Sequence, residues 1–452
     1  MNYKEFFKNK KITIMGLGLL GRGIGYTKFL AECGADLIVT DLKSKEDLAS
    51  SLKQLSKFNH AKGRAGNITY RLGEHNAEDF RGRDMIIKSA GVPIDSIYIK
   101  EAKKNKIPVY MDVSLFIKLA PKIKVVGVTG TRGKTMTTML IYEILSKSIK
   151  NRQVFLGGNI RGVATLPFLK KIKEGDILVC ELDSWQLQGF GEDKISPNIS
   201  VFTSFMEDHM NYYKNSMQEY FSDKANIFKY QNQNDFLIIN PNLNKLINKD
   251  STKAKLIKGN IKEIENFKFV VPGEHQKMNL ALAYKVAKLF NIKDSQIKKV
   301  VKDFKGVEGR LEFLREYKGI KIYNDNNATA VQATIAGLEA LRSNKKKSII
   351  LITGGTDKII DFDLKPFVKL INTSCKFVSF IPGTGTERLI KQTKIKAPYQ
   401  VNDSFRDIIL SAIKNTKKGD VLLFSPAFAS FGMFKNEYDR NDQFVKIIKG
   451  LK

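Results

Sequence analysis

Apolar runs that stop at a glycine or an acid recur along the chain, and a segment with helical spacing follows most of them. Ile12–Met15 leads into Gly16, Gly18 and Gly21, and a helix to about Cys33 comes next. Leu37–Thr40 closes at Asp41. Met85–Ser89 precedes the turn Ala90-Gly91-Val92-Pro93, a helix over Ser96–Lys104 and a strand over Ile107–Tyr110. After a helix at about Val113–Leu119, the run Val125, Val126, Val128 reads as a buried strand. Gly130, Thr131, Arg132 and Gly133 follow, and Lys134 and Thr135 open a helix carrying Leu140, Ile141, Ile144 and Leu145. Short continuous apolar runs bounded by turn residues fit parallel strands covered on both faces.

The pattern continues to the end. The stretch LGGNIRG (156–162) reads as a glycine turn, and the strand Ile177–Cys180 ends in Glu181. Ile199–Thr203 leads to Met206-Glu207-Asp208-His209, and a helix over Ser216–Phe228 carries Lys224. Pro272-Gly273-Glu274-His275 opens a helix through Asn279, Ala281 and Ala283 to Phe290. Past Val307, Arg310 precedes a strand over Leu311–Arg315, and Lys321–Tyr323 ends in Asn324-Asp325-Asn326-Asn327. A helix over Thr329–Leu341 is expected with Thr329 as its N-cap. Ser348–Ile352 then leads to Gly354-Gly355-Thr356-Asp357-Lys358, and a helix over Phe405–Ile413 precedes Val421–Phe424 and Ser425-Pro426-Ala427. A last helix closes the chain. This alternation predicts an α/β protein of three domains: 1–112, Rossmann-like; 113–306, like a P-loop ATPase; and 307–452, Rossmann-like again.

Composition narrows the setting. A chain of 452 residues with 42% hydrophobic content can build about three cores. Its 3 cysteines are scattered, which argues for a reducing cytoplasm without a disulfide framework or structural zinc. No apolar run is long enough to cross a bilayer, and the charged start MNYKEFFKNKK has no signal-peptide character. The net charge of +30 is spread along the chain, with its densest cluster at Lys345–Lys347, so a solvated basic surface is expected rather than a nucleic-acid face. Such a charge still draws polyphosphates over long range.

Two glycine loops carry candidate chemistry. The strand–loop–helix over 124–138 offers backbone N–H groups and a helix N-terminus to anionic phosphates, with Lys134 as a point charge and the Thr135 hydroxyl for Mg²⁺. Its glycines fall at 127, 130 and 133, and Val128 stands where a strict P-loop has its first glycine. Gly16, Gly18 and Gly21, with Asp41 twenty positions on, resemble a dinucleotide fingerprint. Taken alone they suggest an NAD-dependent oxidoreductase, a reading that leaves the GKT loop unexplained. Glu181 ends a strand where α/β nucleotide enzymes hold Mg²⁺, although a strand-terminal acid facing water has the same look. His209, one of 4 histidines, lies among acids and is equally readable as a ligand or as a structural residue.

Nine stretches, in order, resemble the Mur ligases of peptidoglycan synthesis, with the branch that adds D-glutamate the nearest look-alike. They are VTGTRGKT (128–135), LGGNIRG (156–162), CELDSWQL (180–187), FMEDHMNYY (205–213), GEHQKMNLALA (273–283), GRLEF (309–313), YNDNNATAVQAT (323–334), ITGGTDKIIDF (352–362) and LLFSPAFASFGMFKN (422–436). The resemblance implies ATP-dependent amide formation through an acyl phosphate in the cytoplasm, by a monomer, with UDP-N-acetylmuramoyl-L-alanine and glutamate as substrates. Another acceptor, such as L-glutamate, is the alternative within the family. It implies Gly18, Leu19, Leu20, Asp41, Gly91 and Asn159 for the UDP-sugar. It implies Gly130, Thr131, Arg132, Gly133, Lys134, Thr135, Asn279, Arg310 and Asp325 for ATP. Two Mg²⁺ ions would be held by Thr135, Glu181, His209 and Lys224, the lysine as a carbamate. Catalytic roles fall to Lys134, His209, Lys224 and Arg310, and the amino acid to Thr329, Lys358 and Ser430.

The chain departs from the family pattern at several points. Gly309 replaces the histidine before the motif arginine, and Gln276 replaces the asparagine after His275. Asn326-Asn327 replaces Ser-Lys, which removes a cation. Asp183-Ser184-Trp185 replaces Ser-Ser-Phe, and Glu437 stands where an aromatic is usual.

Overall fold

The computed structural model describes residues 2–19, 21–56, 67–343, 347–357, 363–430 and 432–451. Leu20, Lys358, Lys345 and Lys346 lie outside the described residues. The chain forms two compact units, Met1–Ile264 with Asn279–Ile297, and Glu265–Met278 with Lys298–Lys452.

The first unit holds two all-parallel sheets. Strands β1 (Lys11–Met15), β2 (Asp36–Asp41), β3 (Ile68–Leu72), β4 (Met85–Lys88) and β5 (Val109–Tyr110) lie in the order β3-β2-β1-β4-β5. Strands β6 (Lys124–Thr129), β7 (Val154–Gly158), β8 (Ile177–Glu181), β9 (Ile199–Phe202), β10 (Phe236–Ile239) and β11 (Lys255–Lys258) lie in the order β11-β10-β9-β6-β8-β7. In both sheets the glycine loop leaves a central strand, β1 or β6, whose neighbours run away on either side. This is the topological switch point at which open α/β sheets bind ligands.

The two sheets share one buried core, from Phe7 and Ile12 through Leu166 and Leu178 to Ile247. Helix Arg22–Glu32 packs so tightly on the segment after β7 that a Cβ on Gly25 would sit 2.6 Å from that of Ala164. The Asp112 carboxylate, at the start of helix Asp112–Leu119, accepts from the N–H groups of Thr165 and Leu166, both at 2.7 Å.

The second unit is built on β12 (Glu312–Tyr317), β13 (Ile320–Asn324), β14 (Ile349–Gly354), β15 (Cys375–Ile381), β16 (Tyr399–Val401) and β17 (Val421–Ala427), ordered β12-β13-β17-β14-β15-β16. Only β12 is antiparallel. Apolar clusters cover both faces, one around Leu338 and Phe367, the other around Ile408 and Phe444.

Three expectations are corrected in detail. The stretch 156–162 is not wholly a turn, since Leu156–Gly158 completes β7. Helix Val331–Leu341 starts later than expected, with Ala330 rather than Thr329 at its N-cap. The residues before it are drawn into loop pairing instead: Asn327 N–H donates to Gly309 O, and Ala427 N–H to Ala328 O, both at 2.9 Å. The strand expected over Ile107–Tyr110 is confined to Val109–Tyr110.

Candidate active site

The loop after β6 has a geometry that only glycine tolerates at two points. Gly130 has φ +145°, and a Cβ there would meet Thr203 Oγ1 at 2.1 Å. Gly133 has φ +85° as the N-cap of helix Lys134–Ser148, and a Cβ there would lie 2.6 Å from Asn279 Oδ1. The loop is buttressed by the segment after β9. Arg132 N–H donates to Ser204 Oγ at 2.9 Å, and Thr131 Oγ1 exchanges bonds with the backbone of Met206 at 3.1 Å. Lys134 Nζ folds back on its own loop, donating to Gly130 O at 2.9 Å and Thr131 O at 3.0 Å. Two cations with helix-end N–H groups make an anion cradle.

The second cation is Lys224. It is buried on helix Met217–Lys229, donates to Gly130 O at 2.9 Å, and lies over the Tyr220 ring. Burial, reinforced by the charge of Lys134, lowers its pKa to about 7, so a large fraction of this amine is neutral at physiological pH.

Glu181, the last residue of β8, is 3% exposed. Its Oε1 accepts from Asn159 Nδ2 at 3.3 Å, whereas its Oε2 is buried without a hydrogen-bond partner among the described residues. A buried carboxylate oxygen with no donor is costly, and a cation would satisfy it. Among the described residues no three His, Cys, Asp or Glu side chains already enclose an ion position. Mg²⁺ typically takes one or two carboxylates and completes its shell with substrate phosphates and water.

His209 sits at φ +56° with its ring centroid 4.8 Å from that of Trp185 and 6.3 Å from that of Tyr220. Burial lowers its pKa, which leaves the neutral imidazole that a metal needs. Asp183 caps helix Ser184–Asp193 and acts electrostatically on His209, Tyr220 and Lys224. Asp183, Trp185 and Tyr220 were not singled out by sequence as site residues; the stretch ELDSWQL and the segment ahead of Lys224 were the available signals.

The loop after β1 is arranged around Asp41. Its carboxylate accepts from the N–H groups of Gly18 and Lys43, both at 2.9 Å, which fixes the loop against the end of β2. Leu19 is exposed beside it, as is Gly91 beyond β4. The loop backs onto the central domain: a Cβ on Gly21 would lie 3.3 Å from Gly162 Cα.

In the second unit Asp325 follows β13 and is buried between the Leu311 N–H (3.0 Å) and the Ser425 hydroxyl (2.8 Å). Burial raises its pKa to about 7. Arg310 is exposed, and its charge acts against that rise. Thr329 lies in the loop ahead of helix Val331–Leu341, and Ser430 is buried after β17. Both belong to loops at the C-terminal ends of neighbouring parallel strands.

Three family profiles match: "Mur ligase MurD-like, N-terminal domain" over 10–111, "Mur ligase middle domain" over 128–262, and "Mur ligase, glutamate ligase domain" over 309–428. The first of these displaces the oxidoreductase reading of the N-terminal glycines. The UDP-N-acetylmuramoylalanine--D-glutamate ligase of Borreliella afzelii is 35% identical, covering 98% of each chain. The enzyme of that name in Roseiflexus sp. is 31% identical, covering 98% of this chain and 99% of its own. Among solved structures, the UDP-N-acetylmuramate-alanine ligase MurC of Thermotoga maritima shares the fold at a TM-score of 0.60 and 17% identity, over 98% of this chain and 100% of that one. The MurF ligase of Thermotoga maritima, in complex with ADP, follows at 0.55 and 17%, over 92% and 94%.

Proposed function

The chain belongs to the Mur ligase family, and we propose that it joins D-glutamate to UDP-N-acetylmuramoyl-L-alanine at the expense of ATP. The observation that carries this reading is the convergence of Lys134 and Lys224 on one loop carbonyl, in a chain whose buried carboxylate Glu181 lacks a partner on Oε2. Such a site suits transfer of a phosphoryl group to a carboxylate, where Lys134 and metal ions, held in part by Lys224 as a carbamate, would supply most of the barrier lowering.

Residues 1–112 hold the sugar nucleotide in this reading. The loop with Gly18, Leu19 and Leu20, together with Asp41 and Gly91, takes the UDP moiety, and Asn159 meets the sugar side of the same substrate. Residues 113–306 bind ATP through the Gly130–Thr135 loop and Asn279, with Lys134 moving from the loop carbonyls to the β- and γ-phosphates. Residues 307–452 add Arg310 and Asp325 to the nucleotide, and Thr329, Lys358 and Ser430 to the amino acid. Thr135, Glu181, His209 and Lys224, the last as a carbamate, hold two Mg²⁺ ions. The ions would neutralise charge on the transferring phosphoryl oxygens.

The donor carboxylate attacks the γ-phosphorus, ADP departs, and the acyl phosphate forms. The amine of the amino acid then attacks the acyl carbon and phosphate leaves. Closing the site against water protects the acyl phosphate from hydrolysis. The substrate pair places the work in the cytoplasm, and no helix among the described residues is long and apolar enough to cross a membrane.

Phosphate release tests the reading, with ATP, Mg²⁺ and UDP-N-acetylmuramoyl-L-alanine supplied against D-glutamate, L-glutamate and other amino acids. Release that requires D-glutamate is expected. Release with L-glutamate alone moves the acceptor, and none with any amino acid overturns the assignment.

A further inference from the structure

Arg440, on helix Glu437–Lys449, is 0% exposed. Its Nε donates to Asn326 Oδ1 at 2.8 Å, one terminal nitrogen to Asn326 O at 3.0 Å, and the other to Phe428 O at 3.4 Å. Every one of these acceptors is neutral, and no carboxylate accepts from Arg440 among the described residues. Burial lowers its pKa to about 10, so it stays charged at neutral pH. The acid whose charge acts on it, Glu437, is exposed at the start of the helix.

A desolvated cation without an anion is expensive, and three carbonyl-type bonds offset only part of that cost. The location gives the charge a use. Asn326 lies three residues before Thr329, and Phe428 two before Ser430, so one guanidinium fork ties together both loops at the ends of β13 and β17. The Asn326 amide extends the tie, donating to Glu437 O at 2.9 Å and Asn327 Oδ1 at 3.2 Å. These loops carry no cation of their own at 326–327.

We propose that Arg440 is a positioning residue for an anionic acceptor amino acid: from behind the two loops its fixed charge favours a carboxylate at Thr329 and Ser430, and its fork sets the spacing between them. The inference rests on the ligase reading above and names what makes the acceptor site select an acid.

The test is steady-state phosphate release by the full-length enzyme, varying glutamate, ATP and the sugar nucleotide in turn, for wild type, Arg440→Met and Arg440→Lys, with a thermal melt of each. Arg440→Met is expected to raise the KM for glutamate about tenfold or more, a loss of ~1.4 kcal/mol of binding per factor of ten. The KM for the sugar nucleotide stays within about twofold of wild type, and the KM for ATP, whose proposed contact Asp325 directly precedes Asn326, rises by clearly less than that for glutamate. Arg440→Lys keeps the charge but not the fork, so it recovers part of the KM. If Arg440→Met does not fold, Asn326→Asp carries the test by cancelling the charge beside an intact guanidinium, with the same rise in glutamate KM expected. An unchanged glutamate KM, a parallel rise for all three substrates, or Lys failing as badly as Met overturns the proposal. Wild-type enzyme that releases no phosphate with glutamate instead overturns the ligase reading.

Discussion

Lys134 and Lys224 donate to the same carbonyl oxygen, that of Gly130, each at 2.9 Å. Two ammonium groups on one acceptor repel each other, and that repulsion adds to the burial that holds Lys224 near pKa 7. The loop is thereby charged before any phosphate arrives, and its second lysine gives up its proton more readily than an ordinary lysine.

The carbamate proposed for Lys224 would form from its neutral amine and CO₂: the N–C bond forms, a proton leaves, and the side chain comes to end in a carboxylate. Activity should fall in CO₂-depleted buffer and return with bicarbonate. Lys224→Gln should lower turnover about 10²-fold or more, in line with removal of one electrostatic contact at a transition state. Carbon-13 bicarbonate should give a carbamate NMR resonance in the wild type that the variant lacks. Full activity without bicarbonate, and no resonance, would leave Lys224 as a plain ammonium.

Gly133→Ala should abolish nucleotide binding while the fold survives. The substitution forces a left-handed φ on alanine, costing ~1–2 kcal/mol, and drives its Cβ to 2.6 Å from Asn279 Oδ1. Thermal melts with and without ADP check this. The variant should melt a few degrees lower and lose the ADP-induced rise, and a normal ADP response would count against phosphate binding at this loop.

Glu181→Gln should have opposite effects with and without a divalent ion. Removing a buried, unpartnered carboxylate oxygen stabilises the ion-free protein by roughly 1–2 kcal/mol, while ion binding weakens. Urea unfolding gives the first quantity. The chain's 1 tryptophan reports the second, because Trp185 packs 4.8 Å from His209 and its emission should change as Mn²⁺ binds. An emission change equal in Glu181→Gln and wild type would place the ion elsewhere.

Asp325 gives a pH signature. Burial holds its carboxyl at about 7 against an ordinary 3.8, so between those values the folded protein binds a proton that the unfolded chain has released. Stability from this group is complete below about pH 4 and is lost as pH rises toward 7. Asp325→Asn keeps an acceptor for Leu311 N–H and a donor for Ser425 Oγ, so it should flatten that slope and be the more stable protein at pH 8. Urea midpoints for both proteins from pH 4 to 8 decide it, and parallel curves would refute it.

Strands such as Val125–Val128 and Ile177–Glu181 were legible because they are buried on both faces, so their apolar runs are unbroken and their ends abrupt. Ile68–Leu72 and Tyr399–Val401 were not: the first is half-buried and carries Arg71, and the second is a short exposed edge. The late start of helix Val331–Leu341 was hidden because Thr329 is a good cap by type, while loop pairing with residues 309 and 427 decides the matter. The glycine loops and Glu181 followed from local pattern alone. Lys224 meeting Gly130, Trp185 meeting His209 and Arg440 meeting Asn326 join residues that only the folded topology brings together. No spacing along the chain encodes them.

The back-to-back packing of Gly21 on Gly162, with Gly25 against Ala164 and Asp112 gripping Thr165 and Leu166, turns the first unit into a caliper. One jaw is the loop proposed for the nucleotide end of the donor, and the other is the ledge at Asn159 and Glu181 where its carboxylate would react. Neither jaw can slide without opening a tightly packed seam. If the proposed donor site is right, a donor longer or shorter by one residue would present its carboxylate off the ledge however well its nucleotide was held. Selection by length would then fall to the packing between the two sheets rather than to any one contact with the substrate.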